Sequence, residues 1–413
     1  MAKARQFGRS GKGLLHQRFF ADMYPGLQLR LRWVGNVNQF PTVHGGSRMV
    51  GKTVAKYFLG MSLVLAMALV AGCGGDEDTG VAAISQGRWG HTATLLEDGR
   101  VLVVGGQESP SRKLDTAEIF DPVAGTWSSA GSMSQKRGSG HEAIRLEDGR
   151  VLVLGENDDG SAEIYDPSSG QWSSAGVMLE ARQWLATTLL DDGRVLVTGG
   201  LDASKAGREE LDTAEIYDSS TGEWTETGSM ELVHAGHSAV KLDGKVLVVG
   251  KTLAELYDPS TGTWSPAGKP VRERALGTTA DVLEDGRVLV TGGQFQQGGW
   301  TGVTVPIRNA EIYDPSSGTW TAVESMSEPR ENHPSARLRD GTVLIIGDRA
   351  TETYDPATNE WTSTDNMKRS RGDLSTATLL NDGRVLVVGG KNETDDGLRG
   401  VADVEIYDPA TGW

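Results

Sequence analysis

Six arginines recur at corresponding places in the chain and are the first candidates for chemistry. They are Arg88, Arg137, Arg182, Arg274, Arg330 and Arg371, and a seventh such place holds His234. Guanidinium groups bind carboxylates and phosphates through paired hydrogen bonds, so a ring of them would hold an anionic ligand. The alternative is that each arginine bonds carbonyls or acidic residues of its own repeat. We favour this alternative, because a residue of a repeat recurs whether or not it binds a ligand.

Four histidines stand a few residues beyond these places. They are His91, His141, His237 and His333, and the other repeats have Leu185, Thr278 and Ser375 there. A metal site needs three or four ligands on one shell, and the spacing of the histidines over different repeats separates them. We therefore expect local hydrogen bonds from the histidines, and no metal or cofactor site.

The single cysteine, Cys73, points to a different chemistry. It follows a short basic segment and an uncharged apolar run from Tyr57 to Gly72. The run is too short and wrongly flanked for a lasting membrane span. The sequence Leu-Val-Ala-Gly-Cys at 69–73 resembles the lipobox of bacterial lipoproteins. That resemblance implies cleavage before Cys73 and a diacylglycerol on its thiol. A plain signal peptide and a membrane helix are the alternatives.

These features divide the chain into four parts. Residues 1–48 are basic and without periodic pattern, and are either an over-extended reading frame upstream of Met49 or a genuine leader. Residues 49–72 are the expected lipoprotein signal peptide, and 73–80 are a flexible acidic tether. Residues 81–413 form the repeat domain. The expected location is the bacterial cell envelope, extracytoplasmic and held to a membrane through the lipid on Cys73.

The charge excludes one class of partner. The chain has 413 residues and a formal net charge of −16. Residues 1–72 hold ten of the 40 Lys and Arg residues and one of the 56 acidic residues, so residues 73–413 carry −25. Such a surface repels nucleic acid. We therefore expect no nucleic-acid partner.

A sequence repeat that occurs seven times between residues 95 and 413 must position the arginines and histidines. It combines an Asp-Gly turn, an apolar strand ending in Gly-Gly and an alternating strand ending in Tyr-Asp-Pro, as at 379–409. Asp-Gly suits a hairpin turn, and a wholly apolar strand belongs in the middle of a packed sheet. A Trp stands seven residues after the aromatic in six copies: Trp127, Trp172, Trp224, Trp264, Trp320 and Trp361. Each copy predicts four short antiparallel strands, as in a propeller blade.

The diglycine, the aromatic and the spaced Trp resemble the kelch repeat over essentially all of 81–413. The resemblance implies an all-β fold, a seven-bladed kelch-type β-propeller with four antiparallel strands per blade. The last copy has no fourth strand after its Trp, whereas residues 81–88 align with the fourth strand and exit of blade 1 at 133–137. We therefore expect residues 81–85 to close the ring against Val404–Tyr407, which would remove an exposed sheet edge. A fragment with further repeats is the alternative.

The repeats differ most in the loop between the second and third strands. This loop is long in blades 1, 3, 5 and 7, at 107–115, 201–212, 294–308 and 391–402. It emerges on the same face as the connections that carry the arginines and histidines. The candidate ligand face comprises Arg88, His91, Arg137, His141, Arg182, Arg274, Trp300, Arg330, His333 and Arg371.

The residues outside the repeat show no catalytic constellation. Kelch-like propellers include galactose oxidase, whose copper site uses a Tyr joined to a Cys, and Cys73 lies outside the propeller. The Asp-Gly and Asp-Pro carboxylates are explained by turns. The sequence thus predicts a monomeric, membrane-anchored binding module that is not an enzyme and recognises a protein, peptide or glycan on the long-loop face. The alternative is a carbohydrate-active enzyme, like a sugar epimerase or oxidase, with its site at the channel mouth.

Overall fold

The computed structural model describes residues 81–205, 209–296, 303–395 and 397–413. The expected leader, signal peptide and tether, the lipidation site Cys73, and Trp300 lie outside these ranges. Strands, turns and bends make up the described residues, and none of them is helical. Within these ranges there is accordingly no helix long and apolar enough to cross a membrane.

Seven antiparallel sheets, or blades, form the fold, each with its strands in chain order from the inside outward. The first strands are Thr92–Leu95, Glu142–Arg145, Ala186–Leu189, Ser238–Lys241, Thr278–Val282, Ser335–Arg337 and Ser375–Leu379. The second strands are Val101–Val104, Val151–Leu154, Val195–Thr198, Val246–Val249, Val288–Gly292, Val343–Ile346 and Val385–Gly389. The second strands are buried on both faces, as their continuous apolar sequence predicts.

The outer strands carry the alternating and Trp-bearing parts of the repeat. The third strands are Arg112–Asp121, Ser161–Asp166, Ala214–Asp218, Ala254–Asp258, Ala310–Asp314, Thr351–Asp355 and Val404–Tyr407. Six fourth strands follow, at Thr126–Arg137, Gln171–Val177, Glu223–Glu226, Thr263–Pro266, Thr319–Val323 and Glu360–Ser363. First strands of adjacent blades contact one another, and that of blade 1 contacts those of blades 2 and 7. The blades therefore form a closed seven-bladed β-propeller around a central channel, as predicted.

A tryptophan fills each boundary between blades. Trp172 packs on Tyr165 of its own blade, with ring centroids 5.1 Å apart. Its indole N–H donates to the carbonyl oxygen of Ala130 in the preceding blade over 2.8 Å. The same donation to the preceding blade is made by Trp224, Trp264, Trp320 and Trp361. The recurring Trp of the sequence is thus a structural contact between blades.

Residues 81–88 occupy the place of the missing fourth strand of blade 7. The indole of Trp127 donates to the carbonyl oxygen of Ala82 over 2.8 Å, as Trp172 does to Ala130. Ile84 is buried between blades 1 and 7, and its N–H donates to the carbonyl oxygen of Ala402 over 3.0 Å. The predicted closure is confirmed in position. The pairing falls just before the third strand and forms no ladder, because the N–H and hydroxyl of Ser85 bond Glu118 of blade 1 instead.

The long loops of the odd-numbered blades form small ribbons above the blades. Gln107–Ser109 pairs with the start of the third strand of blade 1. Gln294–Gln296 pairs with Thr304–Pro306, and Lys391–Thr394 pairs with Gly397–Gly400. In blade 3, Leu201–Asp202 pairs with Arg182–Gln183 of the preceding connection. The channel mouth therefore lies among these ribbons.

Candidate functional site at the channel mouth

The arginines of the candidate ligand face lie inside the blades. Arg88 is 0 % exposed, and its Nη2 lies 2.9 Å from a carboxylate oxygen of Glu118. Its Nη1 donates to the carbonyl oxygens of Gly105 and Thr116. Burial lowers the pKa of Arg88, and the charge of Glu118 opposes that shift. The guanidinium thus forms its ion pair and its hydrogen bonds within blade 1.

A buried arginine paired with a buried glutamate recurs in six blades, and His234 takes the place of the arginine in blade 4. The glutamate is always the second residue of the Ala-Glu-Ile part of the repeat or its equivalent. The other pairs are Arg137–Glu163, Arg182–Glu215, His234–Glu255, Arg274–Glu311, Arg330–Glu352 and Arg371–Glu405. Each arginine thus contacts carboxylates and carbonyls of its own blade, which is the alternative favoured from the sequence. That the arginines contact a ligand stays a prediction. Their side chains lie inside the blades and not on the surface of the mouth.

The histidines link neighbouring blades. Nε2 of His91 lies 2.9 Å from the hydroxyl of Thr376 in blade 7, and Nε2 of His333 lies 2.9 Å from that of Thr291 in blade 5. His237 makes the same contact with Thr198, at 2.8 Å. His141 contacts the carbonyl oxygens of Gly138 and Val104. Burial lowers the pKa of His141 to about 4 and those of His237 and His333 to about 3, and lowers that of His91 well below 6.5.

A belt of residues with left-handed backbone surrounds the mouth. Each blade contributes the residue just before its first strand, or before the histidine position, and all seven have φ between 46° and 104°. The belt consists of Gly90, Gly140, Trp184, Gly236, Gly277, Asn332 and Leu374. Glycine adopts this conformation freely, whereas Trp and Leu are strained in it by about 1–2 kcal/mol each. Strain of this kind concentrates at functional sites.

Backbone hydrogen bonds join the belt from blade to blade. The N–H of Trp184 donates to the carbonyl oxygen of Gly140, and the N–H of Gly236 donates to that of Trp184, both over 2.8 Å. Equivalent bonds run onward through the remaining blades to Gly90, which donates to Leu374 over 2.9 Å. Six of the seven neighbouring pairs are joined in this way. The rim is therefore a fixed frame for the side chains that it carries.

The Trp184 side chain lies over the belt glycine of the preceding blade. A Cβ placed on Gly140 would come within 3.2 Å of Cδ1 and Cδ2 of the indole. Trp184 is partly exposed, in contrast to a core aromatic, and lines the cavity at the mouth. It is outside the set of Trp residues that fill blade boundaries, so the repeat does not explain it.

The cavity inside the belt has a volume of about 350 Å³. Its wall includes His91 and His141 of the predicted ligand face, together with Trp184, Asn332 and Glu142. Glu142 is on the first strand of blade 2, two residues after Gly140. Burial alone raises the pKa of its carboxyl to about 7, although the residue keeps some exposure through the channel. This size is at the lower end of ligand cavities, which start at about 300 Å³.

Two carboxyls on the first strands were missed by the sequence reasoning. In place of Glu142 the other blades have Thr92, Ala186, Ser238, Thr279, Pro334 and Thr376. Asp281 of blade 5 is equally unmatched, and burial raises the pKa of its carboxyl to about 6. Its Oδ1 accepts a hydrogen bond from Ser335 of blade 6. Alignment of the seven first strands by their pairing with the second strands would have found both carboxyls.

Three segments of the chain match the kelch motif: 98–134, 185–231 and 285–327. The chain is a seven-bladed β-propeller with kelch motifs. No curated protein matches the sequence.

Two solved structures have a similar fold. One is a novel fungal alcohol oxidase of the AA5 family in complex with copper, at a TM-score of 0.64 and 20 % identity, covering 77 % of this chain and 74 % of that one. The other is the structure of YjhT, at a TM-score of 0.53 and 14 % identity, covering 68 % of this chain and 99 % of that one. At these identities the similarity shows the fold alone.

The repeats were used to predict that this chain is not an enzyme, and that prediction is wrong. The same propeller carries an alcohol oxidase, so the fold does not separate binding modules from enzymes. Glu142 and Asp281 are also carboxyls of the kind that the sequence reasoning did not find. Copper does not fit the part of the chain that the structure describes, because it has no group of three or more His, Cys, Asp or Glu side chains placed to hold a metal.

Proposed function

We propose that this protein is a binding module of the bacterial cell envelope that takes one group of its ligand into the cavity at the channel mouth. The ligand is a protein, peptide or glycan that contacts the long-loop ribbons around the mouth. The observation that supports this proposal is the partly exposed, strained Trp184 at the rim of a preformed cavity. Aromatic side chains with one exposed face are frequent anchors of binding sites.

The free polar groups of the cavity agree with a ligand site. Among the described residues, the carboxyl of Glu142, the amide of Asn332 and the indole N–H of Trp184 make no hydrogen bond to protein. These atoms are not fully buried, and the residues that carry them line the cavity. A few such convergent groups on a rigid frame are typical of a binding site.

The test is a screen of glycans and envelope peptides against the wild-type chain and Trp184→Leu. Leucine is tolerated in this conformation, because Leu374 occupies the corresponding place in blade 7. We expect the variant to stay folded and to lose about tenfold or more in affinity for each ligand found. If a ligand binds the wild type and Trp184→Leu with equal affinity, the channel mouth is not its binding site.

Anchoring through Cys73 is a separate part of the proposal. It is supported by the lipobox-like sequence at 69–73 and by the polar residues that follow it. Two acyl chains give stable anchoring, since each buried methylene contributes about 0.8 kcal/mol. Cells grown with labelled palmitate should label the wild type and not Cys73→Ser, and only the wild type should sediment with membranes. Equal labelling of the two would contradict lipidation at Cys73.

A second candidate function is a carbohydrate-active enzyme with Glu142 as general acid or base. A carboxyl with a pKa of about 7 can both accept and donate a proton near neutral pH. The test incubates the protein with sugars in D₂O and follows carbon-bound protons by NMR. Exchange that disappears in Glu142→Gln would support an epimerase-like reaction. If the wild type shows no exchange, the epimerase-like reaction is contradicted and the binding function remains.

A further inference from the structure

Glu142 is the acidic side chain of the cavity wall, and the described residues give it no counter-ion. Positive charge contributes nothing to its pKa, which burial alone raises to about 7. The repeat arginines that precede the first strands of blades 1 and 2, Arg88 and Arg137, are buried and bonded to Glu118 and Glu163. A carboxylate taken out of water without a partner is costly, so an ionised Glu142 favours a cation beside it.

The other titratable groups of the wall carry no charge near neutral pH. They are His91, His141 and His237, and each has a pKa lowered by burial: to about 4 for His141, to about 3 for His237, and well below 6.5 for His91. Among the described residues that line the cavity, charge therefore changes only at Glu142 between pH 6 and pH 8. When this carboxyl ionises, the cavity is negative, and it lies on a domain that is itself strongly acidic.

We propose that the cavity binds an organic ammonium group, with the Glu142 carboxylate as counter-ion and the Trp184 indole as an aromatic wall. A cation is attracted by the face of an indole, most strongly where water is excluded. The proposal rests on the proposed function, since it names the chemical group that the same cavity takes. An anion would meet no free cation in the wall, and a neutral group would leave the carboxylate unpaired.

The size and the remaining polar groups favour an amino sugar as the source of the ammonium group. A volume of about 350 Å³ holds a ligand of roughly monosaccharide size. Asn332 is at the opposite part of the rim from Trp184, three blades on, and its free amide can bond a sugar hydroxyl. An unbranched alkylamine such as a lysine side chain would use the carboxylate and the indole only.

The test is calorimetric titration of the full chain with glucosamine, glucose and n-butylamine at pH 6 and pH 8.5. Glucose has the same ring as glucosamine without the charge, and n-butylamine represents a lysine side chain. We expect glucosamine to bind at least tenfold more tightly than glucose. Glucosamine and glucose are compared at pH 6, where the amine of glucosamine is charged. For n-butylamine, whose ammonium group is charged at both pH values, binding should release nearly one proton from Glu142 per site at pH 6 and almost none at pH 8.5, as measured in buffers of different ionisation enthalpy.

Glu142→Gln keeps the shape of the side chain and should abolish both the preference for glucosamine and the proton release. Glu147→Gln is the matched control, because Glu147 is exposed on the Asp-Gly turn of the same blade. Equal affinity for glucosamine and n-butylamine would support the ammonium site and assign it to amine side chains.

Three results would overturn the inference: equal binding of glucose and glucosamine, no saturable binding of either amine, or unchanged preference in Glu142→Gln. The proposed function fails separately. If Trp184→Leu loses glucose and glucosamine alike while Glu142→Gln loses neither, the cavity is a binding site without an ammonium subsite.

Discussion

The N–H of Trp184 donates to the carbonyl oxygen of Gly140 over 2.8 Å, across the boundary between blades 2 and 3. Both residues have a positive φ, 55° at Trp184 and 104° at Gly140. The bond also brings the indole over Gly140, where a larger residue would leave no room. The strained backbone at Trp184 therefore places an aromatic side chain at the rim, against Gly140, which is two residues before Glu142.

Replacement of a strained belt residue by glycine should stabilise the propeller. Leu374→Gly removes a leucine with φ of 61°, and four belt positions are already glycine. We expect the free energy of unfolding to rise by about 1 kcal/mol, as judged from the cost of left-handed backbone. Urea denaturation followed by circular dichroism measures it.

The reverse change supplies the control for the belt. Gly236→Leu places a side chain at φ of 57°, with its Cβ 3.2 Å from Leu276. It should destabilise by more than 1 kcal/mol. A loss of stability in Leu374→Gly as large as that in Gly236→Leu would show that left-handed backbone is not the determining factor.

Much of the scaffold is predictable from sequence because each blade repeats the same physical solution. The apolar second strand, the Asp-Gly turn and the Trp at fixed offset predict a blade without any tertiary information. The belt is hidden, because Trp184, Asn332 and Leu374 break the glycine pattern that would reveal a shared conformation. Only the folded backbone shows that these three residues share one conformation with the four glycines of the belt.

The candidate site is less predictable because it depends on which way the first-strand residues face. From sequence alone, an arginine in every blade but one looks like a ring around the channel. In the fold, Arg371 turns into its own blade to meet Glu405, which is part of the same repeat. Glu142 is a single departure from the repeat on a strand of ordinary appearance. It becomes visible once the strand register is known.

The buried ion pairs should be essential to the blades. Arg371 is 0 % exposed, and Arg371→Met would leave Glu405 buried without its arginine, although the N–H groups of Lys368 and Arg369 still donate to it. Removing one member of a buried pair costs about 3–5 kcal/mol, and we expect that loss in denaturant unfolding. The double variant Arg371→Met, Glu405→Leu should recover part of it.

The matched control for the buried pair is Arg384→Met on the Asp-Gly turn of the same blade. Its partner Asp382 is 2.7 Å away, but the arginine side chain is 36 % exposed. A surface pair of this kind is worth about 1 kcal/mol or less. Equal losses from Arg371→Met and Arg384→Met would contradict a special role for the buried pairs.

Stability should fall steeply as the pH is lowered from 6 to 5. The buried histidines His91, His141, His237 and His333 stay neutral in the fold, whereas in the unfolded chain they are protonated below about 6.5. Unfolding therefore takes up about four protons in this window. The raised pKa values of Glu142 and Asp281 act oppositely, because these carboxyls release about two protons on unfolding. The net uptake of about two protons lowers the free energy of unfolding by about 3 kcal/mol per pH unit.

The double variant His237→Leu, His333→Thr checks the sign and the size of this effect. Both replacements occur naturally at this position, as Leu185 and Thr278. With two buried histidines removed, the net uptake falls to about zero. Urea midpoints should then be nearly constant between pH 5 and pH 6. A slope as steep as that of the wild type would rule out the histidines as its source.

The closure of the ring through residues 81–88 predicts a large effect from a single side chain near the start of the described chain. Ile84 is 2 % exposed and packs against Val101 and Phe120 of blade 1 and Leu386 of blade 7. Ile84→Ala should lower the free energy of unfolding by about 2–4 kcal/mol, as for other buried aliphatic residues. Met133→Ala, at the equivalent place between blades 1 and 2, should give a loss of similar size. Val123→Ala, at a position that is 97 % exposed, should change little. An Ile84→Ala variant as stable as Val123→Ala would show that residues 81–88 do not close the propeller.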